Sequence, residues 1–242
     1  MDMSLPLEIC VFNTATAIAA AEAGADRIEL CENYANGGTT PSYGYLKTTR
    51  EKVGIPIFPM IRPRGGDYFH RPEEIAIIQK DILLCKELGF EGVVFGLLNR
   101  DGSVDKDNTA RLVELAYPLD VTFHRAFDRC KDPLEALEII IECGCTRILT
   151  SGQHPKAPDG KELIRQLVEQ ADERIIIMPG SGINSMNLEE MIAFTGAKEF
   201  HTSARIMRPS QTEYMNPLIP EDFSQDFTDT DEIKKLKQIL GA

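Results

Sequence analysis

Short runs of β-branched and other apolar residues alternate with helical patterns along almost the whole chain, and this alternation limits the fold more tightly than any other feature. The runs fall at residues 7–12, 27–32, 56–62, 92–97, 121–127, 147–151, 175–179 and 199–203. Helical stretches at 14–23, 72–88, 108–116, 133–143, 161–170 and 188–194 lie between them, and several stop at a glycine suited to a C-cap, as at Gly24, Gly89, Gly144 and Gly196. Eight βα units close most naturally into a TIM (β/α)8 barrel, an α/β fold that commonly occupies roughly 200–250 residues as one domain. An open doubly wound sheet would carry G-x-G-x-x-G after its first strand, whereas this chain has Asn13-Thr14-Ala15-Thr16 there, a helix N-cap signal. The expectation is one barrel domain over residues 1–242, with a polar, mobile segment at 206–230 before a closing amphipathic helix at 231–240.

Charge narrows the function. Twenty-six Lys and Arg against 38 Asp and Glu leave a net charge of −12, which repels polyphosphate backbones and anionic membranes. No run of basic residues offsets it, and no apolar stretch approaches the roughly 20 residues of a spanning helix. The first residues, Met-Asp-Met-Ser-Leu-Pro, are not a basic-then-apolar leader. A soluble, cytoplasmic protein without nucleic-acid or membrane partners is expected. The cysteines at 10, 31, 85, 130, 143 and 145 form no C-x-x-C or paired zinc spacing, so they read as reduced thiols.

Strand parity then points to a polar barrel interior, because side chains alternate between lumen and helical layer and barrel chemistry sits at the C-terminal strand ends. Leu7-Glu8-Ile9-Cys10 and Ile28-Glu29-Leu30-Cys31 share one pattern, with aliphatics towards the helices and Glu8, Cys10, Glu29 and Cys31 inwards. With matched registers the two cysteines would lie side by side, able to share a soft metal, and the glutamates one layer below. Free cysteines also serve as small core residues, so this inference is open on parity alone. Inward carboxylates need partners, and Arg62 on the third run is expected to pair with Glu29 and keep it ionised. Thr122 and His124 on the fifth run, and His201, Ser203 and Arg205 on the eighth, share inward parity, which provides acid/base groups. Ser151 and Gly152 after the sixth run, with Gly180 and Gly182 after the seventh, offer backbone N–H groups of the kind that hold phosphate. Arg64 would clamp a further anionic group.

Together these strings resemble the CutC copper homeostasis family: A-D-R-I-E-L-C at 25–31, G-G-T-T-P-S at 37–42, M-I-R-P-R-G-G-D at 60–67, V-T-F-H-R-A-F-D at 121–128, R-I-L-T-S-G at 147–152 and E-F-H-T-S-A-R at 199–205. The resemblance runs to about residue 208 and departs at 178–183, where Met-Pro-Gly-Ser-Gly-Ile replaces the family's usual M-P-G-G-G-I. It implies a cytoplasmic TIM barrel, often a homo-oligomer, that handles copper and binds Cu(I) with Cys10 and Cys31 as ligands. The residues themselves also suit an enzyme acting on a small anionic or phosphorylated substrate, with Glu29, His124 and Arg62 catalytic and Glu8, Arg64, Ser151, Gly152, Gly180, Gly182, His201 and Ser203 binding.

Overall fold

The computed structural model describes residues 4–219 and 221–241. Eight parallel strands, β1 (Leu7–Val11), β2 (Arg27–Leu30), β3 (Ile57–Pro59), β4 (Gly92–Phe95), β5 (Asp120–Phe123), β6 (Arg147–Thr150), β7 (Ile176–Pro179) and β8 (Phe200–Thr202), form a TIM barrel. They hydrogen-bond in the orders β3-β2-β1-β8 and β4-β5-β6-β7. One seam closes where Met60 bridges Val94 and the Ile61 N–H donates to the Val94 carbonyl at 2.7 Å. At the other seam, between β7 and β8, the Thr202 hydroxyl donates to the Ile183 carbonyl at 2.8 Å.

The outer layer consists of α1 (Thr14–Glu22), α2 (Tyr43–Lys52), α3 (Pro72–Glu87), α4 (Lys106–Ala116), α5 (Pro133–Glu142), α6 (Lys161–Ala171), α7 (Leu188–Thr195) and α8 (Thr230–Ile239). Side-chain oxygens of Asn13, Ser42, Asp105, Asp132 and Asp229 cap their helices by accepting first-turn N–H groups. Helix α2 lies outside the stretches read as helical from the sequence. Gly44 and the threonines at 48 and 49 weaken its propensity, and burial of Leu46 and Thr49 supplies what propensity lacks.

Two apolar compartments follow from strand parity. Leu7, Ile9, Val11, Ile28 and Leu30 join the large core between strands and helices, while Cys10, Cys31, Phe58, Met60 and Val94 form a separate cluster inside the barrel. Within the 206–230 segment, β9 (Arg205–Arg208) and β10 (Gln225–Thr228) pair as an antiparallel ribbon. The Asn13 amide donates to the Asp226 carbonyl at 3.0 Å, fastening that ribbon to the barrel rim. Helix α8 then docks by burying Ile233 and Leu236 and by the Lys237–Asp26 pair at 2.6 Å. No helix of the described residues is long and apolar enough to cross a membrane.

A close backbone approach fixes the end of β6. A Cβ placed on Gly152, whose φ is +66°, would lie 2.2 Å from the Gly160 carbonyl oxygen. Gly152→Ala is therefore expected to cost about 2–4 kcal/mol, combining overpacking with left-handed strain. Urea unfolding with an unchanged midpoint would contradict it.

Candidate metal and ligand site in the barrel lumen

Charged side chains form the lowest layer of the lumen. Glu8 and Arg27 are register partners on β1 and β2 and pair directly. Glu199, just before β8, accepts from Arg27 Nη2 and from Arg147 Nε, each at 2.7 Å. Both guanidiniums also approach the Phe58 ring, their carbons 5.0 and 5.4 Å from its centroid, so an aromatic face assists the carboxylates in compensating two buried cations. Burial alone would raise the Glu8 carboxyl, but Arg27, the His201 hydrogen bond and Arg147 outweigh it and hold Glu8 well below the usual carboxylate range.

One layer up, His201 links the two carboxyls of β1 and β2. Its Nδ1 lies 2.7 Å from Glu8 Oε1 and its Nε2 lies 3.8 Å from Glu29 Oε2. Burial opposes charge on this imidazole, yet Glu29 and the Glu8 hydrogen bond raise its pKa overall. Glu29 behaves oppositely to Glu8: burial raises its carboxyl, the Glu8 charge adds to that, and His201 offsets only part of it. Its Oε1 atom is buried without a hydrogen-bond partner among the described residues.

Two sulfurs sit above. The β1–β2 register pairs Cys10 with Glu29 rather than with Cys31, so the matched register expected from the sequence is replaced by a two-residue stagger of the kind barrel closure requires. Cys31 follows β2 by one residue and reaches back diagonally, leaving the Sγ atoms 3.8 Å apart. Cys31 Sγ is also 3.5 Å from Glu29 Oε2, and Cys10, Glu29 and Cys31 together have the spacing of a metal-ligand group. A Cβ at Gly38 would meet Cys31 Sγ at 3.3 Å and Met60 Cε at 3.5 Å, so this loop glycine packs against these two members of the apolar cluster. The Cys31 hydrogen bond and burial push the Cys10 thiol well above its ordinary value. For Cys31 the hydrogen bond with Cys10 acts downwards, but burial and the Glu29 carboxyl push the thiol up to about 12.

These groups open upwards into a cavity of about 830 Å³ whose lining includes Cys10, Glu29, Met60, His124 and His201. His124 Nδ1 accepts the Ala126 N–H at 3.2 Å, which assigns the ring proton to Nε2. That atom is buried without a partner among the described residues. Burial, followed by Arg62 and His70, lowers the His124 pKa to about 3. The imidazole is neutral at pH 7 and offers a single donor.

Several expected site residues have other work. Arg62 does not pair with Glu29: its guanidinium donates to the carbonyls of Asn36, Gly38 and Gly66 at 2.7, 3.0 and 2.7 Å and stacks on Tyr68, whose centroid lies 4.8 Å away. It fastens the loops after β2 and β3, and Glu29 consequently lacks the cation that would have kept it ionised. Arg64 pairs with Glu74 and Asp67 outside the lumen. The backbone N–H groups of Ser151 and Gln153 donate to the Asp128 carboxylate and that of Gly152 to the Thr150 hydroxyl, so an internal acid fills the expected phosphate cradle after β6. Gly182 and Ser203 line the cavity, whereas Gly180 packs where a Cβ would meet Leu149 at 2.5 Å and His201 at 3.1 Å. Ser181, at the family's usual glycine position, adopts φ +78°, and its hydroxyl is held by the Pro155 carbonyl at 2.8 Å. Arg27, Asp128, Arg147 and Glu199 were missed, although Arg27, Arg147 and Glu199 share parity with inward residues on their own strands.

Comparisons with known proteins converge on one family. The model described as the CutC family matches residues 5–206. A family protein CutC from Parabacteroides distasonis is 48% identical over 236 residues, covering 94% of this chain and 97% of that one. The copper homeostasis protein cutC homolog from Homo sapiens is 43% identical over 240 residues, covering 96% and 88% respectively. The crystal structure of CutC from Streptococcus agalactiae superposes with a TM-score of 0.78 at 34% identity, over 82% of this chain and 98% of that one.

Proposed function

This chain belongs to the CutC family, and from that premise and the lumen chemistry we propose that it binds one Cu(I) ion as cargo through Cys10 and Cys31, in the cytoplasm and as a homo-oligomer. The observation that carries this reading is the pair of thiols 3.8 Å apart. Metal–sulfur bonds of about 2.3 Å let one ion bridge sulfurs separated by up to about 4.6 Å. Thiolate and thioether sulfur selects Cu(I) over harder ions, and the apolar cluster of Phe58, Met60 and Val94 surrounds the pair. Cys10 keeps 8% of its surface exposed and borders the cavity, against 1% for Cys31, so Cys10 is the first ligand that incoming copper meets. Loading displaces the thiol protons.

The test is an anaerobic Cu(I) titration against a chromophoric chelator. One tightly held equivalent is expected in the wild type. In Cys10→Ser/Cys31→Ser affinity should fall by more than the roughly 10- to 100-fold typical of losing an outer-shell partner. Weak binding in the wild type, or binding that survives both substitutions, overturns the proposal.

A second reading is favoured by one observation: the cavity far exceeds the volume of an ion and is bordered by both His124 and Glu29, each with a buried polar atom that has no partner among the described residues. In that reading a small anionic substrate enters the lumen. The neutral His124 donates a hydrogen bond from Nε2, while Glu29, its pKa raised, holds or moves a proton at a carboxyl oxygen. His124→Asn separates the readings, since copper affinity should be unaffected by it and turnover abolished.

A further inference from the structure

Three loops at the C-terminal end of the barrel enclose a second cavity of about 620 Å³, beside the lumen. Arg64 and Arg71 come from the β3–α3 connection, Arg100 from β4–α4 and Arg129 from β5–α5, and Asp67 is the one acid in the lining. Arg64 is consumed by Glu74 and Asp67. Arg71, Arg100 and Arg129 are exposed and form no ion pair among the described residues. In a chain with 26 basic residues against 38 acidic ones, such a grouping is unexpected, and it escapes inspection of the sequence because 65 positions separate Arg64 from Arg129.

The cleft is also partly ordered for recognition. The Arg100 guanidinium carbon stands 4.8 Å from the Phe69 ring centroid, which sets the plane of its donors. The Lys131 N–H donates to the Gly102 carbonyl at 3.0 Å and ties the Arg100 loop to the Arg129 loop. Nearby, Lys131 pairs with Asp101 at 2.6 Å, which withdraws that carboxylate from competition for the arginines. Tyr68 belongs to the lining of both cavities and contacts His124 edge-on, with centroids 5.0 Å apart. One aromatic ring thus divides the arginine cleft from the lumen.

We propose that this cleft binds a small polyanion carrying at least two phosphoryl or carboxylate groups, which Arg71, Arg100 and Arg129 engage at the barrel mouth. Guanidinium forks match the geometry of both groups and can hold either bidentately. Three unpaired forks on separate loops exceed what a single monovalent anion can satisfy, so the ligand carries its charges on more than one group. This site does not depend on the Cu(I) reading, because it shares no sulfur ligand with the lumen. It also differs from the phosphate cradle expected after β6, which Asp128 already occupies.

Isothermal titration calorimetry of the full chain tests the proposal with inorganic pyrophosphate and with citrate as probes. Saturable one-to-one binding of at least one probe is expected. It should weaken as salt rises and fall at least about tenfold, roughly one good charge-assisted contact, in Arg100→Gln/Arg129→Gln. Arg165→Gln/Arg174→Gln, which removes two surface arginines on and just after α6, should bind like the wild type and controls for loss of the same net charge. Binding of pyrophosphate alone assigns a phosphoryl ligand, and binding of citrate alone assigns a polycarboxylate. No saturable binding of either probe at millimolar concentration, or equal binding by the double variant, overturns the proposal.

Discussion

Glu199→Ala is expected to remove about 3–5 kcal/mol of folding stability, the range for stranding a buried charge by deleting its partner. Glu199 is the shared acceptor of Arg27 and Arg147, and both arginines are buried, at 8% and 4% exposure. Without Glu199, Arg27 keeps Glu8, whereas Arg147 retains only the weak 3.4 Å approach to Thr122 Oγ1 and its place over Phe58. The deficit therefore falls mainly on Arg147. This leads to a sharper expectation for the double variant Arg147→Met/Glu199→Leu, which removes a cation and an anion together and replaces them with apolar volume. It should recover most of the loss, since exchanging a buried ion pair for well-packed apolar groups is often neutral. Denaturant unfolding of Arg147→Met, Glu199→Leu and the double variant beside the wild type gives the coupling energy directly. A Glu199→Ala loss below about 1 kcal/mol, the range of an exposed pair, would show that the lowest lumen layer is hydrated and that its charges do not depend on one another.

The same layer explains where sequence reasoning succeeded and where it stopped. Alternation of apolar runs and helical patterns was enough to reach the barrel, because each strand of a parallel barrel must hide one face under a helix and its period of two survives in the sequence. Parity also turned Glu8, Cys10, Glu29, His124 and His201 inwards, where the structure places them. What parity cannot carry is axial position. It states that a side chain faces the lumen, but the height at which it does so is fixed by the stagger between neighbouring strands, which depends on closure of the whole barrel. Arg62 illustrates the consequence: its residue type suits a Glu29 partner, but it follows β3 and lies high enough to be captured by loop carbonyls. Arg27 sits low and pairs with Glu8 rather than with Glu29, which has no arginine partner among the described residues. Asp128 was illegible for a related reason, since it acts from a loop across β6 and no local pattern reveals which backbone amides it will meet. The arginine cleft is the extreme case, assembled from three loops that only the fold brings together.

His124 should make the protein measurably acid-sensitive in a window that His124→Asn removes. Its folded pKa is lowered from 6.5 to about 3, so between those values the unfolded chain holds a proton on this residue that the folded chain refuses. The unfolded state binds more protons there, and stability rises with pH at up to about 1.4 kcal/mol per unit. Acidification from about pH 6.5 to about pH 4.5 should therefore cost about 2 kcal/mol through this residue alone. His201 has the opposite sign: its pKa is raised, so its contribution is fully present below the unfolded value and is lost as pH climbs through the folded one. Glu29, also raised, favours the folded state on the acid side in the same way. The total profile mixes these effects, and only the difference between variants isolates His124. Asn is the suitable replacement because its side-chain carbonyl can still accept the Ala126 N–H while carrying no titratable proton. Urea unfolding of wild type and His124→Asn across that window should give curves that converge as pH falls from neutrality, if the variant begins the less stable of the two. Parallel curves would mean that His124 takes up a proton in the folded barrel as readily as in water, and that its imidazole is a hydrated base rather than the neutral donor facing the cavity.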